Sequence, residues 1–542
     1  MHGFFGTYRT SVKWDLSKFE DKSLVKREYS NEVLSLTQLT LPKFLGDKYF
    51  EAHDGCFIAT EGVLFEADSA AECIARYQKG ESCFWDSWRG SFAGVFYDQA
   101  ADTLLLFNDH IGSKMLFYAQ VEGGLVFGSD IKCIAEAIGA KHYDEQFVES
   151  MLEKGCVEDG STFLSGIHRL TAGQYMRVRG KDIEVCAYHR FDNTPWEYDE
   201  AEMLKETDRL FRQAVERVVR KNEREGWQQF YPLSGGLDSR MTQWIARHIA
   251  TKPIVNYTYS QSGHYDHLLP KEISKTLGNE WQFYPLDGGA YITNVDSVCA
   301  QTEWLINYMA PIEIAIFAQE QDWTHVGVVL TGVNGDNILA TETDNAHEMA
   351  RIYIQGFNGN SLGSPLVLQH YTESYSPFCD VDVLDYVLHV PTIKRRNYYF
   401  YDQWILGYYP EAAQWHHKHA FIGQRPKMVT IAGRNIPLRD VPKRLLLTTL
   451  KRLHIYDGYR MDADSMNPYD RWIKENPQIL LTLENYYNTN KSFVRNDKLL
   501  SACAYRMHMG PTMEKGKALT VLCALKSFYH TDGPATKTTP TE

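Results

Sequence analysis

Residues 234–239 read Ser-Gly-Gly-Leu-Asp-Ser and follow the short apolar run Gln229-Phe230-Tyr231-Pro232-Leu233. A strand that enters a small-residue turn and leaves as a helix offers an oxyanion unpaired N–H groups and the positive helix end. Gly235 and Gly236 permit close backbone approach, and Ser234 and Ser239 add hydroxyl donors. Asp238 is the odd member, because a carboxylate beside a phosphate nest repels the ligand unless a cation lies between them. The hexapeptide therefore predicts a polyphosphate together with Mg²⁺. A plain strand-to-helix turn would need only the glycines. The helix continues from Ser239, with Met241, Trp244 and Ile245 on one side.

A second element carries the complementary group. The apolar run Val326–Leu330 leads into Thr331-Gly332-Val333-Asn334-Gly335-Asp336-Asn337, again a strand followed by a glycine-bearing loop with an aspartate. Asp238 and Asp336 are expected just past the ends of neighbouring strands. Two carboxylates converging on one polyphosphate suit Mg²⁺, which takes few protein ligands and completes its shell with phosphate oxygens.

The elements that must position these loops follow from composition and pattern. At 542 residues the chain exceeds a single core and predicts two to four domains. Its apolar fraction of 44% and charged fraction of 23% are those of a soluble globular protein. With 69 acidic against 56 basic residues the net charge is −13, which argues against nucleic acid as a partner. Ten scattered cysteines without a C-x-x-C pair, and no signal-peptide pattern, predict reduced thiols in a cytoplasmic protein. No apolar run approaches the roughly 18 residues of a membrane span. To about residue 190 the pattern is β-rich, with short alternating runs such as Thr103–Phe107 and Gly124–Phe127. The polar stretch Asp192–Glu197 marks a boundary. Beyond it, a helical period over 201–222, the strand at 229–233 and further strands at Ile254–Tyr259 and Val326–Leu330 predict a parallel sheet with ligands at the strand C-terminal ends. The tail from His530 is expected to be disordered.

The hexapeptide lacks the Lys-Ser/Thr pair of the nucleoside-triphosphate P-loop and resembles the PP-loop of the N-type ATP pyrophosphatases, which cleave ATP between the α- and β-phosphates. With the second loop, the chain resembles the asparagine synthetase family over most of its length. The family's Gly-Glu-Gly-Ala/Ser-Asp-Glu loop matches Gly332–Asn337, and its Glu-Val-Arg-x-Pro-Phe-Leu-Asp segment is echoed by Glu373–Asp380. A family lysine that neutralises developing pyrophosphate charge matches Lys427 in Arg425-Pro426-Lys427. Trp88–Ala93, Asn108–Gly112, Phe127–Lys132 and Ser161–Leu170 fall in the order of the family's glutaminase domain. The resemblance implies an α/β protein. Residues 1–190 would form an Ntn-type αββα sandwich. Residues 200–529 would form an α/β PP-loop (adenine nucleotide α-hydrolase-like) synthetase domain with a parallel sheet and a helical C-terminal part, leaving 530–542 as a tail. ATP would be held by Ser234, Gly235, Gly236, Leu237, Asp238, Ser239, Tyr257, Thr331 and Gly332. Mg²⁺ would be held by Asp238 and Asp336, with Lys427 completing the catalytic set.

Departures from the family pattern limit the reaction. Family glutaminases place a cysteine after the initiator Met, where this chain has His2, and their Asn-Gly-Glu oxyanion segment is Glu61-Gly62-Val63. Losing both nucleophile and oxyanion donor predicts an inactive glutaminase domain. Val333 stands where asparagine synthetases carry a glutamate and β-lactam synthetases a tyrosine, and Tyr375 replaces the arginine of the Glu-Val-Arg segment. The ATP half is kept and the acceptor half is changed. The predicted activity is an ATP-dependent amide ligase or cyclase that adenylates a small-molecule or peptide carboxylate and couples it to an amine, as in β-lactam synthetases and lasso-peptide cyclases. The alternatives are an asparagine synthetase using free ammonia and a non-catalytic ATP-binding scaffold. A homodimer or a biosynthetic-cluster protein is the expected assembly, without nucleic acid or membrane. Three further features read as ordinary structure: His416–His419 as a solvated helix end, Asp462–Asn467 as a surface turn, and the aromatics from Tyr398 to Tyr409 as core rather than pocket.

Overall fold

The structure is a computed structural model that describes residues 3–14, 16, 23–157, 159–417, 420–431, 434–452 and 466–529. His2, residues 418 and 419 of the histidine cluster, residues 462–465 of the acidic turn and the tail from 530 lie outside the described residues.

The N-terminal part contributes β1 (Gly3–Tyr8), β2 (Val25–Ser30), β3 (Leu34–Thr40), β4 (Phe50–His53), β5 (Cys56–Glu66), β6 (Arg89–Asp98), β7 (Thr103–Asn108), β8 (Phe117–Val121), β9 (Gly124–Gly128), β10 (His168–Arg169), β11 (Gln174–Arg179) and β12 (Asp182–Ala187). They form two six-stranded antiparallel sheets ordered β10-β8-β9-β1-β3-β2 and β12-β11-β7-β6-β5-β4. The period-two alternation read from the sequence decides which side chains meet. Phe4 and Tyr8 of β1 and Leu104 and Leu106 of β7 fill the space between the sheets. Leu105 and Phe107 point the other way, onto α1 (Ala70–Gln78) and the turn bearing Trp85 and Trp88. Across the sandwich, α2 (Ile131–Ile138) and α3 (Glu145–Lys154) cover Phe117, Ala119 and Val126. That outer core runs without a break into the C-terminal helices, through Ala518, Leu522 and Leu525.

The second half begins with α4 (Glu200–Glu225), which starts on the Asp199 N-cap and ends at Gly226 in the left-handed conformation. It is followed by β13 (Gln229–Pro232), α5 (Leu237–Ile249), β14 (Ile254–Ser260), α6 (Tyr265–Leu277), β15 (Glu280–Pro285), β16 (Val329–Leu330) and β17 (Ser374–Tyr375). The pairs β13–β14, β14–β15 and β16–β17 are all parallel. A parallel bridge between Gln228 and Val326 brings the start of β13 beside the segment leading into β16. The spatial order is thus β15-β14-β13-β16-β17, with the reversal of direction at β13/β16. In an open parallel sheet that is where a crevice forms beyond the strand ends.

The strand expected over Val326–Leu330 is regular only at Val329–Leu330. The reason is Asn222 of α4, which takes the place of a neighbouring strand. Its Nδ2 donates to the Val328 carbonyl (2.9 Å) and its Oδ1 accepts the Val328 N–H (2.9 Å). Gly327 is required there, since a Cβ would lie 2.4 Å from Asn222 Oδ1.

Buried charges join the two halves. The Arg217 guanidinium of α4 pairs with Asp380 (2.8 Å), Asp382 (2.7 Å) and Glu66 of β5 (2.9 Å). Lys221, one turn on, reaches Asp47 (2.6 Å) and the Leu64 carbonyl (3.0 Å). Removing one partner of a fully buried pair leaves the other charge uncompensated. Arg217→Met is therefore expected to lower stability by about 3 kcal/mol or more, read as a shift of the urea unfolding midpoint. Arg220→Met, on the exposed face of the same helix, should change it little.

Candidate functional site

The site grows from the two loops at β13 and β16. β13 runs into Ser234, and Gly236 serves as the N-cap of α5, so the first helical N–H groups face the crevice. The serines brace the turn: Ser239 Oγ accepts the Ser234 N–H (3.0 Å), the two hydroxyls lie 2.9 Å apart, and Ser234 Oγ accepts the Gly236 N–H (3.2 Å). The Gly235 N–H donates to a carboxylate oxygen of Asp266, at the start of α6, at 2.8 Å. The Gly235 amide is thus satisfied by Asp266, and a Cβ at Gly235 would strike the Tyr265 ring at 2.4 Å.

The second loop is locked onto the first. Asp238 Oδ2 accepts the Asp336 N–H (2.9 Å) and Oδ1 accepts the Tyr401 hydroxyl (3.1 Å). The contact is so close that a Cβ on Gly335 would lie 2.3 Å from Asp238 Cγ, and one on Gly332 would lie 2.6 Å from the Ser239 nitrogen. Asn334 supplies the turn between them in the left-handed conformation (φ 72°). Ser376 Oγ holds the Val333 carbonyl (2.7 Å), and the Thr331 N–H donates to the Tyr375 carbonyl (2.9 Å).

Above the loops is a cavity of about 420 Å³ lined by Ser234, Gly236, Leu237, Asp238, Ser239, Tyr257, Asp266, Thr331, Gly332 and Asp336. Most residues expected from sequence to hold a nucleotide thus share one cavity; Gly235 lies behind it, its N–H on Asp266. Tyr257 is buried, stacked on Phe317 at 4.5 Å, and its hydroxyl has no hydrogen-bond partner among the described residues. A buried unpaired hydroxyl at a cavity wall is a donor awaiting a ligand. Burial holds its pKa well above the usual tyrosine value, so it remains protonated and able to donate. The paired carboxylates of Asp238 and Asp336, hard oxygen donors beside anion-binding amides, fit Mg²⁺ carried with a polyphosphate. Lys427 lies elsewhere in the described fold: it is exposed, its carbonyl accepting the Leu438 N–H (2.8 Å), and it is not among the cavity-lining residues.

Several site residues had no sequence motif to mark them. Tyr401 and Tyr398 come from the aromatic run read as core. Phe400, Tyr401 and Trp404 are indeed buried, yet the Tyr401 hydroxyl caps Asp238. Burial, followed by the nearby Asp336 and Asp238 charges, raises the Tyr398 pKa. His417 corrects the expectation of a solvated helix end. It is 4% exposed, lines the cavity and meets Arg425 through Nδ1 (3.0 Å), while Arg425 lies over the Tyr398 ring (4.4 Å) and pairs with Asp402 (2.8 Å). Only the spacing of aromatic hydroxyls along the helix Tyr399–Tyr408 could have signalled this role.

A second, narrower cavity of about 60 Å³ lies between the halves, lined by Ser91, His110 and Lys114 on one side and Asn334, Tyr375 and Ser376 on the other. Thr331 and Val333 line both cavities. Glu61 is buried in an ion pair with Lys48 (2.8 Å) and accepts from Gln38 Nε2 (3.1 Å). Lys48 also meets Glu373 (3.7 Å), which in turn pairs with Lys114 (2.5 Å). The space beside Glu61 is about 20 Å³, bounded by Ser129, Lys114 and Glu303. That is room for about one water molecule.

Gly335→Ala should cost about 1–3 kcal/mol by forcing the loops apart, measured by denaturant unfolding. Gly46→Ala, where an added Cβ meets nothing within 4 Å, serves as the neutral control.

Residues 57–189 match the family described as a glutamine amidotransferase domain. Asparagine synthetase [glutamine-hydrolyzing] 1 of Bacillus subtilis (strain 168) is 23% identical over 288 residues, covering 52% of this chain and 44% of that protein. Amidase chry2 of Gibberella zeae is 26% identical over 179 residues, 32% of this chain and 26% of its own length. The chain thus spans less than half the length of these curated relatives. Among solved structures, the glutamine phosphoribosylpyrophosphate amidotransferase from B. subtilis complexed with ADP and GMP covers 52% of this chain and 84% of its own, at 9% identity and a TM-score of 0.23, too low to bear on the fold. The amidotransferase-domain match and the relatives together support a likeness to the asparagine synthetases, the first over residues 57–189 and the second over about half of the chain.

Proposed function

We propose that the chain is an ATP-dependent amide-forming ligase that activates a carboxylate by adenylation and couples it to an amine without hydrolysing glutamine. The observation that carries this reading is the pairing of the Ser234–Ser239 and Thr331–Asn337 loops at the ends of adjacent strands, with Asp238 and Asp336 in one cavity. The substrate carboxylate attacks the α-phosphorus of ATP and pyrophosphate leaves. An amine then takes the acyl group and releases AMP. In this reading the loop amides and the Ser234 and Ser239 hydroxyls bind the departing pyrophosphate, and the Tyr257 hydroxyl donates to the nucleotide. Asp238 and Asp336 would hold Mg²⁺, which neutralises charge on the phosphates when bound. Val333, at the wall shared by both cavities, offers the acyl group an apolar neighbour in place of an acid or base.

The absence of glutamine hydrolysis rests on Glu61. A carboxylate already paired with Lys48 cannot donate to an oxyanion, and the space beside it excludes a glutamine side chain. The amine therefore enters as free ammonia or as an amine of a second or the same substrate. The relatives named asparagine synthetase favour one specific second reading, aspartate activation, which the Glu61 pairing would limit to free ammonia.

The test is a screen of carboxylates and amines for pyrophosphate release from ATP and Mg²⁺. Aspartate with ammonium salts as the sole active pair would select the second reading. No pyrophosphate release and no pyrophosphate exchange into ATP with any carboxylate would sink both. Asp238→Asn and Asp336→Asn are each expected to slow release by about 100-fold or more with the unfolding midpoint preserved. Tyr257→Phe should weaken ATP binding by about 5-fold, the loss of one hydrogen bond, measured by calorimetric titration. Glutamine should not substitute for ammonium in the wild type or in Glu61→Asn.

A further inference from the structure

A different group of residues lies outside the nucleotide site. Asp86 is in the turn Phe84–Ser87, His110 follows β7 and His189 follows β12. Each offers one ligand atom, and the three atoms lie within 4.8 Å of one another. His110 Nε2 is 3.2 Å from Asp86 Oδ1, and His189 Nδ1 is 3.8 Å from the same oxygen. Tetrahedral Zn²⁺, with ligand bonds of about 2.0–2.2 Å, sets neighbouring ligand atoms about 3.3 Å apart. One edge of the cluster thus matches that spacing, a second exceeds it by about 0.5 Å, and the third is at most 4.8 Å. The imidazole rings stand nearly perpendicular, at 83°, with centroids 4.8 Å apart, so both can point a nitrogen at one point.

The second nitrogen of His189 makes the stronger argument. Its Nε2 lies 3.2 Å from Asp385 Oδ1, on the helix Val381–Val387 of the other half. A carboxylate behind one ring nitrogen fixes the tautomer and turns the other nitrogen outward as a lone pair, the arrangement that supports metal-bound histidines. The imidazoles are nearly covered (7% and 17% exposed), whereas Asp86 is 53% exposed, which leaves a solvent path and an open coordination position. Two features oppose a cation there. His110 Nε2 also lies 3.0 Å from the Asp86 carbonyl, so metal binding must displace the proton shared with it. Arg89 approaches that carbonyl at 3.3 Å, but its charge is met by Asp382 at 2.7 Å.

We propose that Asp86, His110 and His189 form a site for a borderline divalent transition-metal ion, zinc first among them, with Asp385 supporting His189 from the other half. Two imidazoles and one carboxylate favour zinc over Mg²⁺, which prefers an all-oxygen shell. The ion would fasten the β7 end and the turn before β6 to the segment leaving the sandwich. Through Asp385 it would fasten both to the second half, at the rim of the interdomain cavity that His110 lines. This site is independent of the ligase reading, since none of its residues lines the nucleotide cavity.

The experiment uses the full chain without an affinity tag, loaded with Zn²⁺ alone, dialysed and assayed for bound metal, with Co²⁺ as the spectroscopic probe. One zinc per chain is expected, with a raised unfolding temperature and a Co²⁺ spectrum of nitrogen and oxygen ligation without thiolate charge transfer. Asp86→Asn, at an exposed position where folding is not at stake, and His189→Gln should lose the bound ion. Asp385→Asn should weaken uptake by about 10–100-fold without abolishing it. No retained zinc in the wild type, equal retention in wild type, Asp86→Asn and His189→Gln, or a thiolate signature would each overturn the proposal. In those cases the cluster is a hydrogen-bonded chain that pins the interface.

Discussion

The contact on which the site depends is the seat of the Asp238 carboxylate on the backbone of the second loop. One oxygen accepts the Asp336 N–H and the other the Tyr401 hydroxyl, and the carboxyl carbon packs where a Cβ of residue 335 would stand. A carboxylate held this way has few rotamers left. It fixes the distance between two loops separated by almost 100 residues of chain, and with it the shape of the crevice at β13/β16. The rest of the half-molecule supports that contact. α4 supplies Asn222 to satisfy Val328 where the ladder is interrupted, and the helix Tyr399–Tyr408 brings Tyr401 from behind.

Charge does for the interface what that contact does for the site. Arg217 with Glu66, Lys221 with Asp47, and Lys48 and Lys114 with Glu373 pair charges across the boundary, while Asp380, Asp382 and Glu61 satisfy the same cations from within each half. Pairs of this kind add little net stability over apolar packing, but they penalise any other arrangement of the halves. Glu61 illustrates the trade. It contributes a fixed negative charge that Lys48 and Gln38 satisfy. The surroundings of Glu61 thereby form part of the interface.

The sequence was most readable where chemistry demands particular residues in a short span. Ser234–Ser239 and Thr331–Asn337 stood out as short spans of unusual composition, and the structure brings the two loops together at one cavity. Period-two runs such as Thr103–Phe107 likewise located sheet strands, since both faces of that strand are buried against different layers. What could not be read were partners set by tertiary packing. Tyr401 and His417 reach the cavity from a segment whose local pattern is that of core, and nothing in residues 398–417 states which hydroxyl or ring will face inward. The break in the β16 strand was hidden for the same reason, because Asn222 acts on it from 106 residues away. Lys427 shows the converse. A short motif match placed it, but three residues carry too little information to fix a side chain's address, and it lies exposed outside the cavity lining.

The alternating chain Lys48–Glu61, Lys48–Glu373 and Glu373–Lys114 has an implication for how such a molecule can change over generations. Its four residues come from three separate stretches of sequence, yet they behave as a single neutral unit. Exchanging either half for that of a relative, or placing an asparagine at position 61 alone, would strand an odd charge in the interior. Change at this boundary would therefore demand coordinated substitutions on both of its sides, with each intermediate less stable than its ancestor. Residue 61 is tied through one lysine to a second glutamate, and the interface acts as a ratchet.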